Sequence, residues 1–164
     1  MAETALKGTP IRTSGELPKE GTQAPPFRLV RQDLSEASSE DYGKKMVLNI
    51  FPSIDTSVCA TSVRTFNEKA GSRDDAVVLN VSMDLPFAAQ RFCGAEGLEG
   101  VETLSAFRST FPTDYGVRLE EGPMSGLTAR AVVVLDGEGT VLHRELVPEI
   151  AQEPDYDAAL AALG

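Results

Sequence analysis

The side chains with most chemistry to offer in this chain are its two cysteines, Cys59 and Cys93. Cys59 falls in "FPSIDTSVCAT", residues 51–61, seven positions after Pro52 and three after Thr56, where a strand-like run gives way to a helix-like one. An ordinary buried thiol can sit anywhere apolar, whereas this stretch is mostly polar and turn-forming. If Thr56 caps the helix, Cys59 lies in its first turn, where unpaired N–H groups and the positive end of the helix dipole favour an anion. Val63, Phe66 and Ala70 follow at spacings of four, seven and eleven, so they share one face with Cys59 and the sulfur points inward. Cys93, in "LPFAAQRFCG", reads as the end of another helix beside Gly94, where the dipole disfavours a thiolate and the chain can fray. The two thiols are therefore unequal: Cys59 suits an attacking role and Cys93 a mobile second one.

The plain alternative is that both are small buried hydrophobes. Several named cysteine chemistries do not fit. "CATS" is not a CxxC pair, and "CATSVR" is neither glycine-rich nor spaced as a phosphatase loop. A cysteine hydrolase wants a histidine base, but the one histidine, His143, sits in the strand-like "TVLHREL". Two cysteines and one histidine also fall short of the four ligands of a structural zinc site.

Composition sets the frame in which these residues must work. At 164 residues the chain has the size of one domain, residues 1–164, able to bury about two-thirds of its unfolded surface without staples. Hydrophobic residues at 41% and charged residues at 24% are ordinary for a globular protein. A net charge of −10, with Lys44–Lys45 the only adjacent basic pair, argues against nucleic acid as a partner. "MAETALKG" lacks the apolar core of a signal peptide, and "AVVVL" is too short to span a bilayer, so a membrane is not expected and the cytoplasm is the expected compartment. In that compartment a cysteine pair that oxidises is catalytic or sensing.

The elements that must position the cysteines read as follows. "LKGTPIRTSGEL" predicts a small hairpin, and "LPKEGTQAPP" a tether leading to a strand at "FRLVR". "SEASSEDYGKK" reads as a polar loop. "MVLNIF", "TSVCATSVRTFNEKA" and "AVVLNVS" form a strand–helix–strand unit that favours parallel pairing. "LPFAAQRFCG" is a short helix with Pro86 first and Gly94 at its end. After a loop-rich middle, "RAVVVLDGEGTVLHRELV" is a hairpin turning at Asp136, Gly137 and Gly139, and a helix closes the chain near "EPDYDAALAAL". This is the outline of a thioredoxin-like α/β fold, with a central mixed sheet flanked by helices and an N-terminal β-hairpin. The outline by itself implies no chemistry.

The motifs go further. "PSIDTSVC" resembles the PxxxTxxC signature of peroxiredoxins, with Pro52, Thr56 and Cys59 in place. "SMDLPFAAQRFCGAEGL", "GLTARAVVVLD" and "EPDYDAALAAL" resemble the thiol peroxidase subfamily, the atypical two-cysteine peroxiredoxins, and the resemblance covers almost the whole chain. It implies that Cys59 is the peroxidatic cysteine and that Cys93, in "RFC", resolves it through an intrachain disulfide. It further implies that Arg130 is the active-site arginine, that Pro52 shields the thiol, and that no metal, haem or flavin cofactor takes part. Hydroperoxides, alkyl ones among them, are then the substrates, thioredoxin the reductant and a homodimer the assembly. Some members carry a further cysteine in the strand before "DLPF"; here that strand, "AVVLNVS", has Asn80 instead.

Magnitudes say what such a site needs. A free thiol with pKa about 8.5 is roughly a tenth ionised at neutral pH, so full ionisation gains only about tenfold. A helix end contributes about 0.3–1 kcal/mol toward an anion, which leaves work for a cation, and a guanidinium tolerates partial burial better than an ammonium. The larger gain must come from donors that align the peroxide and stabilise its leaving oxygen, a role that fits Thr56 and Arg130. Arg130 could instead face water at a strand entry, and Thr56 could be a cap alone. A thioredoxin-fold redox sensor switched by the same disulfide is the non-enzymatic alternative.

Overall fold

Strand β5, Lys45–Ile50, is buried from Met46 onward on both of its faces, and a strand of that kind must be covered from both sides. The computed structural model describes the backbone of residues 2–71, 73–96 and 101–164, with side chains at all of these except 93–96 and 101. In it β5 pairs in parallel with β6, Ala76–Ser82, and antiparallel with β8, Ala131–Leu135. The sheet grows outward through β7, Val101–Ser105, β3, Arg28–Val30, and β4, Glu36–Ser38, on one side and β9, Val141–Leu146, on the other. The order is β4-β3-β7-β6-β5-β8-β9, a seven-stranded mixed sheet.

Strand alternation then decides the layers. Val47, Val78, Val132 and Val134 face α1, Ser57–Ala70, and α4, Tyr156–Leu163, packing on Phe66, Ala70, Ala159 and Leu163. Leu48, Leu79, Val81 and Val133 face the other way, onto Leu17, Phe27, Tyr115 and the short α3, Phe111–Asp114. Helix α2, Pro86–Glu96, lies against β7. Period two along β8 puts Arg130, two residues before Val132, on the α1 side of the sheet.

Three sequence expectations change. The loop expected at "SEASSEDYGKK" contains β4 and a 3-10 turn, Ser39–Asp41; three residues pairing only with β3 are too few for alternation to register. β7 lies in the loop-rich middle, where "VETLS" alternates too briefly to be read, and it forms because β6 offers it a parallel edge. Helix α2 runs past Gly94 as far as Glu96, so Cys93 lies in its last described turn and Gly94 does not end it. A glycine inside a helix costs only about 1 kcal/mol relative to alanine, too little to stop one by itself.

The N-terminal hairpin pairs β1, Glu3–Leu6, with β2, Thr9–Arg12. Its two-residue turn has φ of 50° at Lys7 and 84° at Gly8, the left-handed pair that matches strand twist. Those turn amides donate to the Glu149 carboxylate at 2.8 and 3.1 Å, while the Ile150 amide donates to the Ala5 carbonyl at 2.8 Å. The hairpin thereby straps down the segment after β9.

The amides of Gly8 and Lys7 hold the Glu149 carboxyl below its ordinary value. A depressed carboxyl contributes stability above its unfolded value and loses it as pH falls through the folded one. Glu149→Gln should keep the circular dichroism of the wild type while the Lys7, Gly8 and Ile150 amides exchange with deuterium roughly three- to tenfold faster. In the wild type the same loosening, corrected for intrinsic exchange, should appear only below the usual carboxylate range, and the variant should lack that acid limb.

Candidate active site

Between Ile50 and the start of α1 the chain turns from sheet to helix, and each turn residue is tied to a different element. The Phe51 amide donates to the Val81 carbonyl at 3.1 Å, and its carbonyl accepts from the Thr128 hydroxyl at 2.7 Å. Pro52 is buried and has no amide proton to satisfy. Ser53 and Ile54 are both held by the Asp84 carboxylate, at 2.9 Å to Ser53 Oγ and 2.7 Å to the Ile54 amide. Thr56 is the helix N-cap as expected, with φ −91° and ψ 148°; its Oγ1 accepts from the Cys59 amide at 3.4 Å and donates to the Ser53 carbonyl at 3.2 Å. The hydroxyl is exposed, and its single proton is committed to the loop.

Cys59 therefore sits in the first turn of α1 with its sulfur inside, 0% exposed among Phe51, Ile54, Val63 and the partly buried Phe92. Arg130 is also inside, 1% exposed, which excludes a water-facing strand-entry arginine. Its Nη2 donates to Cys59 Sγ at 3.1 Å, its Nε donates to the Ile150 carbonyl at 2.8 Å, and its Nη1 is buried without a partner. Among the described residues no carboxylate forms a hydrogen bond to it. A buried cation without an anion is costly by several kcal/mol, and among the described side chains it is Cys59 Sγ that this guanidinium reaches. A depression of about 230 Å³ opens beside these groups, lined by Leu6, Pro52, Thr56, Val58, Met124 and Ile150 together with Arg130. Depressions of about 490 and 430 Å³ lie elsewhere but are not lined by Arg130, so size alone does not locate the site.

Two further contacts tie the start of α1 to α2. Phe92 packs on the Cys59 nest, with the Arg64 guanidinium carbon 5.9 Å from its ring centroid. Asp55 pairs with Arg91 at 3.0 Å, an exposed pair worth about 0–1 kcal/mol. Phe87, in the first turn of α2, is by contrast 62% exposed. Cys93 follows Phe92 in α2, and its side chain lies outside the described residues. Asn80, in the strand where some thiol peroxidases have a third cysteine, is part of a buried polar ladder. Asn49 Nδ2 donates to Asn80 Oδ1 at 2.9 Å and to Ser62 Oγ at 3.3 Å, and Ser62 Oγ donates to the Cys59 carbonyl at 2.8 Å.

Sequence reasoning missed Ser53, Asp84, Thr128 and the Ile150 carbonyl as supports of the site. Asp84 and Thr128 lie inside "SMDLPF" and "GLTARA", stretches quoted for the family resemblance, but nothing in their residue types says what they hold. A backbone carbonyl such as that of Ile150 leaves no sequence signal.

The sequence profile described as Redoxin matches residues 19–160. Thiol peroxidases from Mycobacterium tuberculosis and Corynebacterium glutamicum are 59% and 57% identical to the chain over 165 and 164 residues, covering 100% and 99% of it and 99% of each relative. The crystal structure of a peroxiredoxin-like protein from Aquifex aeolicus superposes with a TM-score of 0.94 at 38% identity, over 99% of this chain and 96% of that one. The chain belongs to the Redoxin family, and within it to the thiol peroxidases of peroxiredoxin type. The thioredoxin-like fold and the N-terminal hairpin expected from sequence are both present. Among the described residues no helix is long and apolar enough to cross a membrane.

Arg130→Ala should lower the ultraviolet absorbance of the thiolate at neutral pH and slow oxidation of Cys59 by about 10²- to 10³-fold, more than the lost thiolate fraction explains. Arg130→Lys should recover part of the absorbance and little of the rate, because an ammonium cannot hold the Ile150 carbonyl and sulfur from one planar fork. Thiolate titration beside stopped-flow oxidation measures both.

Proposed function

We propose that this thiol peroxidase reduces hydrogen peroxide and organic hydroperoxides through Cys59, with Cys93 as the resolving thiol and thioredoxin as the external reductant. The observation that carries the reading is the 3.1 Å contact between Arg130 Nη2 and Cys59 Sγ beside a depression that opens to solvent. The Cys59 thiolate attacks the terminal peroxide oxygen, the O–O bond breaks, and the departing alkoxide takes a proton to leave as alcohol or water, while sulfur becomes a sulfenic acid. Arg130 Nη1, buried and unpartnered, is placed to donate to a peroxide oxygen as charge builds on it. Pro52 shields the sulfur from bulk water, and Thr56 shapes the helix start and presents its hydroxyl oxygen as an acceptor at the pocket edge. The apolar lining from Leu6, Val58, Met124 and Ile150 favours an alkyl chain on the substrate.

In the second half of the cycle the Cys93 thiol attacks the sulfenic sulfur, water leaves, and an intrachain disulfide forms. Cys93 is the only other thiol in the chain. A dithiol reductant then exchanges with the disulfide, returning both thiols and leaving oxidised itself. The resemblance to atypical two-cysteine peroxiredoxins supports thioredoxin as that dithiol, a homodimer as the assembly, one domain over residues 1–164 and the cytoplasm as the compartment. Because a disulfide needs Cα atoms within about 7 Å and the Cys59 sulfur is fully enclosed, turnover includes local unwinding at α1, α2 or both.

The test is a peroxidase assay coupled to thioredoxin, with thiol counting on each variant. Cys59→Ser should lose turnover with an unchanged fold. Cys93→Ser should reduce about one equivalent of peroxide per chain and stall as the sulfenic acid, because serine cannot complete the disulfide. The wild type should lose both thiols, stay monomeric on a non-reducing gel and give a peptide joining residues 59 and 93. A thioredoxin-supported rate in Cys93→Ser equal to that of the wild type would sink the resolving role.

A further inference from the structure

The Asp84 carboxylate takes no part in the steps above, yet it joins the segments those steps must separate. It lies between the end of β6 and the start of α2, in "SMDLPF". One oxygen accepts from Ser53 Oγ at 2.9 Å, and the other accepts from the Ile54 amide at 2.7 Å and from Ser82 Oγ at 2.6 Å. The Asp84 carbonyl accepts from Ser105 Oγ at the end of β7, and Ser105 Oγ in turn accepts from the Phe107 amide at 3.2 Å. Ile54, placed by this carboxylate, is 1% exposed and packs directly in the Cys59 nest. A single side chain thus pins the loop before Cys59 to the root of the helix that carries Cys93. These are charge-assisted bonds from a partly buried carboxylate, stronger than neutral ones and not matched by the exposed Asp55–Arg91 pair nearby.

We propose that Asp84 is a positioning residue that latches the peroxide-ready conformation, holding the Cys59 loop closed during oxidation and setting how readily Cys59 is released toward Cys93. The inference rests on the two-cysteine reading above. Its physical content is a population shift between a closed state, in which sulfur meets Arg130 and peroxide, and an open state, in which the sulfenic sulfur meets the Cys93 thiol. Weakening the latch lowers the closed population, so oxidation slows. The same change raises the open population, so loss of water to form the disulfide becomes faster. A sulfenic acid that lingers in the closed state can meet a second peroxide, giving sulfinic acid and one more alcohol or water, so the latch also sets sensitivity to over-oxidation.

The experiment uses full-length Asp84→Ala, Asp84→Asn and Ser53→Ala. In the reduced resting protein, Asp84→Ala should speed deuterium exchange of the amides from Ile54 through the first turn of α1 by about tenfold, with β8 and α4 unchanged. Stopped-flow with cumene hydroperoxide should show the disulfide step about tenfold faster and the oxidation step slowed by less than about twofold, because a tenfold rise in a minor open population takes little from the closed one, and mass spectrometry should find less sulfinate after excess peroxide. Ser53→Ala, which removes one of the three bonds to the carboxylate, should move each quantity the same way by a smaller amount; it and Asp84→Asn carry the test should Asp84→Ala not fold. Equal slowing of both steps with exchange raised throughout the protein would mean a merely structural role and overturn the latch, as would unchanged exchange and rates in all three variants. If the wild type consumes peroxide without joining residues 59 and 93, the two-cysteine reading fails, while the exchange arm still decides whether Asp84 holds the loop.

Discussion

A guanidinium with 1% of its surface exposed must find its counter-charge inside the protein, and at Arg130 the nearest candidate is the sulfur of Cys59, 3.1 Å away. Two unit charges about 4 Å apart attract by roughly 4 kcal/mol at an effective dielectric near 20, against about 0.3–1 kcal/mol from a helix end. The arginine therefore dominates the field at the thiol, and the helix start assists it. Much of the surrounding structure serves to keep that cation still. The Ile150 carbonyl holds its Nε, the N-terminal hairpin holds the Ile150 amide, and Thr128, two residues before Arg130, holds the carbonyl of Phe51 at the opposite wall. The hairpin, although separate from the main sheet, thus has a direct mechanical path to the Cys59 sulfur.

In the proposed cycle the same enclosure sets the difficulty of the second half-reaction. Apolar packing by Phe51, Ile54, Val63 and Phe92 excludes water from the sulfur and strengthens its interaction with Arg130, and it also blocks access by any other thiol. Phe92, next to Cys93 in the chain, closes the nest, so joining the two cysteines in the proposed cycle requires its displacement. Helix α2 carries a glycine at 94 and ends at Glu96, which makes its last turns cheaper to open than the sheet. On that proposal a well-formed site for peroxide and a rapid disulfide step are opposed demands on one set of contacts.

Behind the thiol, the polar ladder of Asn80, Asn49 and Ser62 reaches the Cys59 carbonyl through the core. Asn49, Asn80 and Ser62 are 0% exposed, and burying amides costs several kcal/mol unless they are paired. Their bonds restrict how α1 can sit on β5 and β6, since a register slip would leave them unsatisfied. In this chain the position of a possible third cysteine instead joins two neighbouring strands to the helix that bears the thiol.

Much of the site was legible in sequence wherever neighbouring residues carry it. Thr56 three residues before Cys59 dictates the cap, the spacing of Val63, Phe66 and Ala70 dictates the inward face, and Asp136 with Gly139 dictates the β8–β9 turn, because interactions within one or two turns depend only on local chain geometry. "RAVVVL" could not reveal where Arg130 points: the run after it is apolar on both faces, so no alternation distinguishes them, and the contact to Cys59 spans 71 positions. Sheet order and register decided it, by placing β8 beside β5 with Val132 and Val134 toward α1. Tertiary pairing likewise made strands of β4 and β7, carried α2 past Gly94, and turned Asp84 and the Ile150 carbonyl into supports of the thiol. The sequence by itself determined which residues could react and how each begins its helix or turn. Which of them meet was decided only when the sheet closed, because a buried charge and its partner are chosen by packing across strands and not by distance along the chain.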